Sequence, residues 1–143
     1  MFSHTAEYAL RAAVFLAESP TGRYTTQAIA DTAQIPPRYL AKVLNSLSRA
    51  GVLSGQRGLN GGFSLARNPE DITVLEVIQA VDPIKRIHKC PLGLQAHSHR
   101  LCPLHTRLDE SLALIEENLR KATLADLLER PTFRGLSTDE PAN

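Results

Sequence analysis

The residues best suited to bind a metal or to change oxidation state are concentrated in one short stretch. Residues 88–105, which we call the Cys/His segment, hold both cysteines, Cys90 and Cys102, and four of the five histidines of the chain. Thiolates and imidazoles in a segment without helical or strand periodicity can hold an iron-sulphur cluster or zinc. The spacing, with eleven residues between the cysteines and two more before His105, is not a standard zinc-finger pattern. On spacing alone, a redox disulfide, two ordinary small side chains or a surface loop with incidental histidines remain open.

A second group of residues is suited to bind a polyanion. Residues 19–67 contain six arginine and lysine residues and one acid, a net charge of +5, whereas residues 107–129 contain three basic and six acidic residues, a net charge of −3. The overall charge of +1 therefore conceals a basic segment followed by an acidic one. Such an asymmetry is typical of a chain whose first part binds nucleic acid.

Apolar periodicity and capping residues predict the elements that position these groups. We expect helices over residues 5–18, 27–32, 37–50, 74–82, 108–122 and 123–128. Two β segments, 52–55 and 63–66, flank a tip that contains three glycines and an asparagine. A short helix, a turn, a basic helix and a glycine-tipped hairpin follow one another in the order of a winged helix-turn-helix. The predicted fold is therefore mainly α, with a small β-hairpin wing and a long C-terminal helix.

The residues expected to contact DNA lie off the apolar stripe of the third helix or at the hairpin tip. Basic side chains there can meet phosphates or the guanine edge, and asparagine can pair with adenine. An arginine beside glycines at the tip suits the minor groove. A basic helix alone is by default only a solvated surface, but its combination with a basic wing favours nucleic acid. The predicted contact residues are Thr26, Pro37, Arg38, Tyr39, Lys42, Asn45, Arg49, Arg57, Gly58 and Asn60.

The acidic part of the chain contains a heptad pattern. Leu108, Leu112, Ile115, Leu119 and Ala122 recur at steps of 4, 3, 4 and 3. This spacing is typical of a helix that pairs in a dimer, and over so short a repeat an ordinary core-facing helix has the same pattern. The expected organisation is a winged helix-turn-helix at 1–83, a Cys/His sensor loop at 84–106, a dimerisation helix and short terminal helix at 107–130 and a flexible tail at 131–143.

Several runs of the sequence resemble a known family. Residues 39–53 (YLAKVLNSLSRAGVL), Arg57 with Gly58, and residues 61–67 (GGFSLAR) are similar to the DNA-binding core of the Rrf2 family, which includes the IscR-type and NsrR-type bacterial regulators. Residues 7–11 (EYALR) and 72–78 (ITVLEVI) match as well, so the resemblance extends over about residues 1–128. It implies a homodimeric winged-helix transcription factor that binds palindromic promoter DNA and dimerises through its long C-terminal helix.

The resemblance also implies ligands for an iron-sulphur cluster. Members with a cluster usually have three cysteines in this loop, and IscR-type members have a histidine three residues after the last one. Cys90, Cys102 and His105 match the first cysteine, the last cysteine and that histidine. The middle cysteine is missing, and Ala96 lies near its expected position.

Some members with only two such cysteines hold a 2Fe-2S cluster with a carboxylate and an imidazole from the first helix. Glu7 matches that carboxylate, whereas Arg11 stands at the position of the imidazole. On its own, an acid in the first turn of a helix needs no ligand role, because the helix dipole favours it there. The ligand set implied by the resemblance is Cys90, Cys102, His105 and Glu7, with His97 or His99 as replacements for Glu7.

These observations lead us to expect a homodimeric DNA-binding regulator whose promoter affinity is switched by an iron-sulphur cluster that responds to redox, nitric oxide or iron status. One alternative is a cluster-free regulator of the same family that senses through thiol-disulfide chemistry or another metal. A more remote one is a winged-helix module for protein contacts. Phosphate-binding, HExxH and nucleophile-elbow motifs are missing, so we do not expect an enzyme. Without a secretion signal or a long apolar run, a cytoplasmic protein with no membrane partner is expected.

Overall fold

The computed structural model describes residues 2–97 and 99–129 and confirms the mainly helical fold with a two-stranded hairpin. The expected tail at 131–143 lies outside the described residues. The main elements are α1 (His4–Ala17), α2 (Thr26–Ala33), α3 (Pro37–Arg49), β1 (Leu53–Gln56), β2 (Gly62–Leu65), α4 (Val74–Val81) and α5 (Pro103–Lys121). Single turns of 3-10 helix occur at Pro69–Asp71, Gln95–His97 and Asp126–Leu128. None of the described helices is both long and apolar enough to cross a bilayer.

The first helix lies at the centre of the core. The Ser3 hydroxyl caps α1 by accepting a hydrogen bond from the backbone N–H of Ala6 at 3.2 Å. The inner face of α1 is rich in alanine, which allows the helices packed on it to approach closely, and α1 contacts α2, α3 and α4. Phe15 extends this core to the start of α2 through an edge-to-face contact with Tyr24, with ring centroids 4.9 Å apart.

The helix-turn-helix is held by a cap at its start and by an arginine at its turn. Thr25 caps α2, because its hydroxyl accepts a hydrogen bond from Ala28 N–H at 3.2 Å. After α2 the backbone of Gln34 adopts a left-handed conformation. Arg11 of α1 donates to the carbonyls of Ala33 and Gln34, at 3.3 and 3.1 Å. The turn that orients α3 is therefore tied directly to the first helix.

The wing is an antiparallel hairpin that is joined to the body of the protein. Leu53 pairs with Leu65 at its base and Gln56 with Gly62 near its tip. Phe63 exchanges two backbone hydrogen bonds with Tyr24, of 2.9 and 2.8 Å, so the residues before α2 extend the hairpin on its outer side. These bonds fix the position of the wing beside α3.

The last helix begins earlier than the apolar pattern predicts. α5 starts at Pro103 with Cys102 as its N-cap, because a proline in the first helical turn forfeits no hydrogen bond. The heptad pattern begins only at Leu108, so periodicity does not reveal the exposed first turn. The expected boundary between 84–106 and 107–130 thus falls inside α5, and His105 belongs to its first turn.

The predicted heptad residues of α5 divide into two groups. Leu119 and Ala122 pack against a cluster of Ala6, Val74 and Ile78 from α1 and α4. Leu108, at the other end, is 46% exposed, and no residue of the helix is fully buried. One end of α5 therefore packs on its own chain, and the other presents apolar side chains to the outside.

The chain after α5 returns to the core. The N–H of Val74 donates to the carbonyl of Ala122 at 2.8 Å, and the N–H of Leu124 donates to the carbonyl of Ile72 at 2.9 Å. Leu124 is completely buried in the main core. The C-terminal end of α5 is thereby fixed to the start of α4.

A charged cluster holds the start of the connection between α4 and α5 against α5. Arg86 donates to both carboxylate oxygens of Asp109 at 2.7 and 2.6 Å and to Glu116 at 3.3 Å, and the N–H of Ile87 donates to Asp109 at 2.8 Å. The hydrogen bonds from Arg86, and then that from Ile87, lower the pKa of Asp109 to about 2, and the contacts with Asp109 and then Glu116 raise the pKa of Arg86. We call these residues the Arg86 clamp. It holds the chain that leads to Cys90 against the helix that begins at Cys102.

We expect Arg86→Ala to destabilise the protein more than Arg107→Ala, a matched removal of an exposed arginine paired with Glu110. Loss of Arg86 leaves two half-buried carboxylates without their cation. Because the pKa of Asp109 is lowered, the stabilisation is present above its ordinary pKa and is lost as the pH falls towards 2. Urea unfolding should therefore show a large difference between the wild type and Arg86→Ala at pH 7 that shrinks in acid. Equal effects of the two variants at pH 7 would contradict the role of the clamp.

Candidate nucleic-acid interface and Cys/His segment

The outer face of α3 and the wing border an open cleft of about 510 Å³. Four residues of the predicted DNA-contact set line it, namely Thr26, Asn45, Arg57 and Gly58. Two cleft residues, Gln56 and Leu59, were not singled out by the sequence analysis, because hairpin-tip residues show no periodicity. Ser48 was missed as well, and its buried hydroxyl has no hydrogen-bond partner among the described residues. The cleft thus brings together residues from α2, α3 and the wing.

The predicted contact residues present an unneutralised positive charge. All ten except the half-buried Thr26 are exposed. The ion pairs of the described residues involve none of Arg38, Lys42, Arg49 and Arg57. Cations without a protein carboxylate nearby are available to phosphate groups. The face formed by α3 and the wing therefore has the charge that a polyanion requires.

The start of α3 is in contact with α1 through aromatic rings. The guanidinium of Arg38 lies 4.6 Å from the ring centroid of Tyr39 and donates to its hydroxyl at 2.9 Å. Tyr39 stacks on Tyr8 of α1 with a centroid distance of 6.1 Å. The sequence analysis gave Tyr8 no role beyond its place in the first helix, since periodicity does not show which helix meets which. Tyr8 directly follows Glu7, so the candidate ligand of α1 is adjacent to this contact.

Two members of the expected ligand set lie close together. The sulphur of Cys102 and Nδ1 of His105 are 3.3 Å apart at the start of α5. Both side chains are half-buried, as is that of Cys90, and both cysteines are free thiols. Cys90 begins a turn that is closed by a hydrogen bond from Gly93 N–H to its carbonyl at 3.1 Å. The Cys/His segment thus offers a thiol and imidazole pair with a second thiol on the same segment.

The remaining expected ligands do not join this pair within one chain. Glu7 is exposed in the first turn of α1, and His99 is exposed in the loop; the His97 side chain lies outside what the structure describes. Arg11, at the position of the family's imidazole, is engaged with the helix-turn-helix turn. Over the side chains of residues 2–96 and 99–129, no three His, Cys, Asp or Glu residues come close enough to hold a metal ion. A single chain therefore supplies a partial ligand set.

The Arg86 clamp was also missed by the sequence analysis. Its two acids, Asp109 and Glu116, are seven residues apart in α5, a spacing that places them on one face of a helix. This spacing of two acids is the sequence signal that could have indicated a cation bound against α5. The arginine itself could not be identified, because it lies outside any periodic segment.

Comparisons with known proteins agree with this architecture. The chain matches the Rrf2 family, described as an iron-dependent transcriptional regulator, over residues 2–130. It is 31% identical over 131 residues to an HTH-type transcriptional regulator of Aquifex aeolicus (strain VF5), a match that covers 90% of this chain and 91% of that protein.

Solved structures show the same fold. The IscR of T. potens superposes with a TM-score of 0.73 at 26% identity, covering 90% of this chain and 86% of that one. CymR (YrzC), the global cysteine regulator of B. subtilis, superposes with a TM-score of 0.74 at 24% identity, covering 92% and 98% of the two chains. The family match covers almost the whole chain, and the described residues form its winged helix. The chain belongs to the Rrf2 family and is a DNA-binding transcriptional regulator.

Proposed function

We propose that the protein binds palindromic promoter DNA as a homodimer, with α3 in the major groove and the wing in the adjacent minor groove. The observation that carries this proposal is the cleft between α3 and the wing, around which the basic side chains have no carboxylate partners among the described residues. A duplex provides phosphates on both sides of each groove, so it can satisfy charges on the helix and the wing at once.

The predicted contact residues divide by the chemistry of their side chains. Lys42 and Asn45 are assigned to base edges, since they project from the outer face of α3. Arg57 is assigned to the minor groove, with Gly58 and Asn60 beside it at the wing tip. The assigned phosphate and backbone contacts are Thr26, Pro37, Arg38, Tyr39 and Arg49.

Arg57→Ala should weaken binding to a duplex from the region upstream of the protein's own gene by about tenfold. The slope of log affinity against log salt concentration should fall by about 1, because one arginine no longer displaces a counterion. Arg107→Ala removes another exposed arginine, in α5, and should change neither quantity. Fluorescence anisotropy over a series of salt concentrations measures both. Unchanged binding by Arg57→Ala would refute the role of the wing.

The proposed dimer interface is the heptad face of α5, which carries Leu112 and Ile115. No residue of this 19-residue helix is fully buried, and Leu112 and Ile115 line, together with Phe2, a pocket of about 220 Å³ whose rim also includes Asp82 and Lys85. Side chains of a second α5 are the occupants that a heptad pattern predicts. A two-fold axis through α5 would present two recognition helices to successive major grooves, about 34 to 36 Å apart.

The double variant Leu112→Asp/Ile115→Asp should be monomeric in sedimentation velocity, because charges would be buried at the interface. Leu114→Asp, which alters a 72% exposed leucine outside the heptad pattern, is the matched control and should remain dimeric. The circular dichroism spectrum reports whether each variant stays folded. A folded double variant that still forms a dimer would exclude this interface.

The proposed sensor is a 2Fe-2S cluster held by Cys90, Cys102 and His105, with Glu7 contributed by the second copy of the chain. Three contacts support this proposal. Cys102 lies against His105, and the Arg86 clamp holds the chain before Cys90 on α5. Tyr8, which directly follows Glu7, stacks on Tyr39 at the start of α3. His97 or His99 is the substitute for Glu7. When bound, such a cluster supplies one-electron redox chemistry and reactivity towards nitric oxide.

Ligand residues from two copies would join the Cys/His segment of one chain to the DNA-binding part of the other. Formation or loss of that link changes the relative placement of the two α3 helices, and the affinity for a site with fixed half-site spacing changes with it. The second candidate is a cluster-free thiol sensor of the same family. It is favoured by the two free, half-buried cysteines and by the partial ligand set within one chain.

Anaerobically purified wild type should be coloured and contain iron and sulphide in equal amounts, whereas Cys102→Ser should be colourless. His88→Ala removes an exposed histidine of the same segment that is outside the ligand set, and it should retain the colour. The visible spectrum with iron, sulphide and zinc analysis measures this. A colourless wild type without sulphide would reject the cluster. Loss of two thiols on mild oxidation would then support the thiol sensor.

A further inference from the structure

The tip of the wing carries an apolar side chain that no other described residue covers. Leu59 is fully exposed, at 105% of the reference accessible area, and it is the most exposed large hydrophobic residue among those described. It stands between Gly58 and Asn60 and lines the same cleft as Arg57. A single exposed leucine is common on a protein surface, so exposure alone indicates no role for Leu59, and its position must be considered.

The backbone at the tip holds Leu59 in a defined place. A hydrogen bond from Gly61 N–H to the Gly58 carbonyl, of 2.9 Å, closes the turn. A Cβ atom at Gly61 would lie 2.6 Å from the Gln56 carbonyl oxygen, so the turn is too tight for any other residue. Arg23 donates to the Gly62 carbonyl at 3.2 Å, which adds to the backbone bonds that join the wing to the body. Leu59 is therefore a fixed protrusion.

We propose that Leu59 is an apolar wedge that enters the minor groove and inserts between two base pairs; this rests on the proposed DNA binding. Arg57, two residues earlier, directs the tip to the minor groove, where phosphates flank it. A leucine gains nothing from phosphates or from water in the groove. The apolar surface that a minor groove can offer is the face of a base pair, which becomes accessible when a step is partly unstacked.

The wedge predicts a sequence preference that differs from that of Arg57. Arginine alone favours the narrow minor groove of a stiff A-tract, whereas insertion favours a pyrimidine-purine step such as TpA, which unstacks easily. Two duplexes of equal A·T content, one with a TpA step and one with an A-tract beneath the wing, therefore separate the two effects. We expect the wild type to bind the TpA duplex about five- to tenfold more tightly and to bend it.

The experiment measures affinity by fluorescence anisotropy and bending by energy transfer between dyes on the two duplex ends. Leu59→Ala should lose the TpA preference and the bend but keep the salt dependence, because no phosphate contact is removed. Leu59→Phe should retain both, since phenylalanine also forms wedges. Leu114→Ala, at another exposed leucine, should match the wild type. Thermal unfolding of Leu59→Ala should be unchanged, because its side chain is uncovered.

An unchanged TpA preference and bend in Leu59→Ala would overturn the wedge. Loss of the preference when thymine is replaced by uracil would overturn it too, because the contact would then be with the thymine methyl groups in the major groove. If the wild type binds no duplex in a salt-dependent way, the proposed function itself fails. That outcome is distinct from normal binding without a wedge.

Discussion

The close packing of α1 against α3 and α4 is the constraint on which the other parts of the protein depend. The buried face of α1 consists largely of alanines, so neighbouring helices approach it more closely than larger side chains would allow. From this central position α1 contacts α2, α3, α4 and β2. Arg11 holds the helix-turn-helix turn, and Tyr8 stacks on the start of α3. Ala6 supports the cluster against which the end of α5 packs. A displacement of α1 would therefore change both the placement of α3 and the packing of the end of α5.

Much of the fold could be predicted because its elements obey local rules. The stripe of Leu40, Val43, Leu44 and Leu47 and the prolines before it define α3, and the capping box at Thr73 and Glu76 defines the start of α4. The contacts that assemble these elements follow no such local rule. Arg86 and Asp109, or Tyr8 and Tyr39, lie far apart in the chain, and no periodicity connects them. The start of α5 was also hidden, because its first turn is exposed and has no apolar pattern.

The two candidate sites differ in how far the sequence could define them. The predicted DNA-contact residues of α3 follow from helix geometry, since residues off a buried stripe face outwards. A ligand set has no such rule. Cys102 and His105 are three residues apart and meet at the start of α5, whereas Cys90 lies near the other end of the Cys/His segment and Glu7 lies in α1. Spacing along a chain does not determine whether distant groups converge within one copy or between two.

The return of the chain to the core after α5 has a consequence for how the protein is made. The backbone bonds of Ile72 and Val74 are completed by residues 122–124, and Leu124 fills a place in the main core. Until that leucine has emerged from the ribosome, the winged helix lacks part of its interior, although its own helices and strands are already outside. The entire Cys/His segment has been synthesised by then. A nascent chain thus cannot complete the core of its winged helix before the whole Cys/His segment has been made.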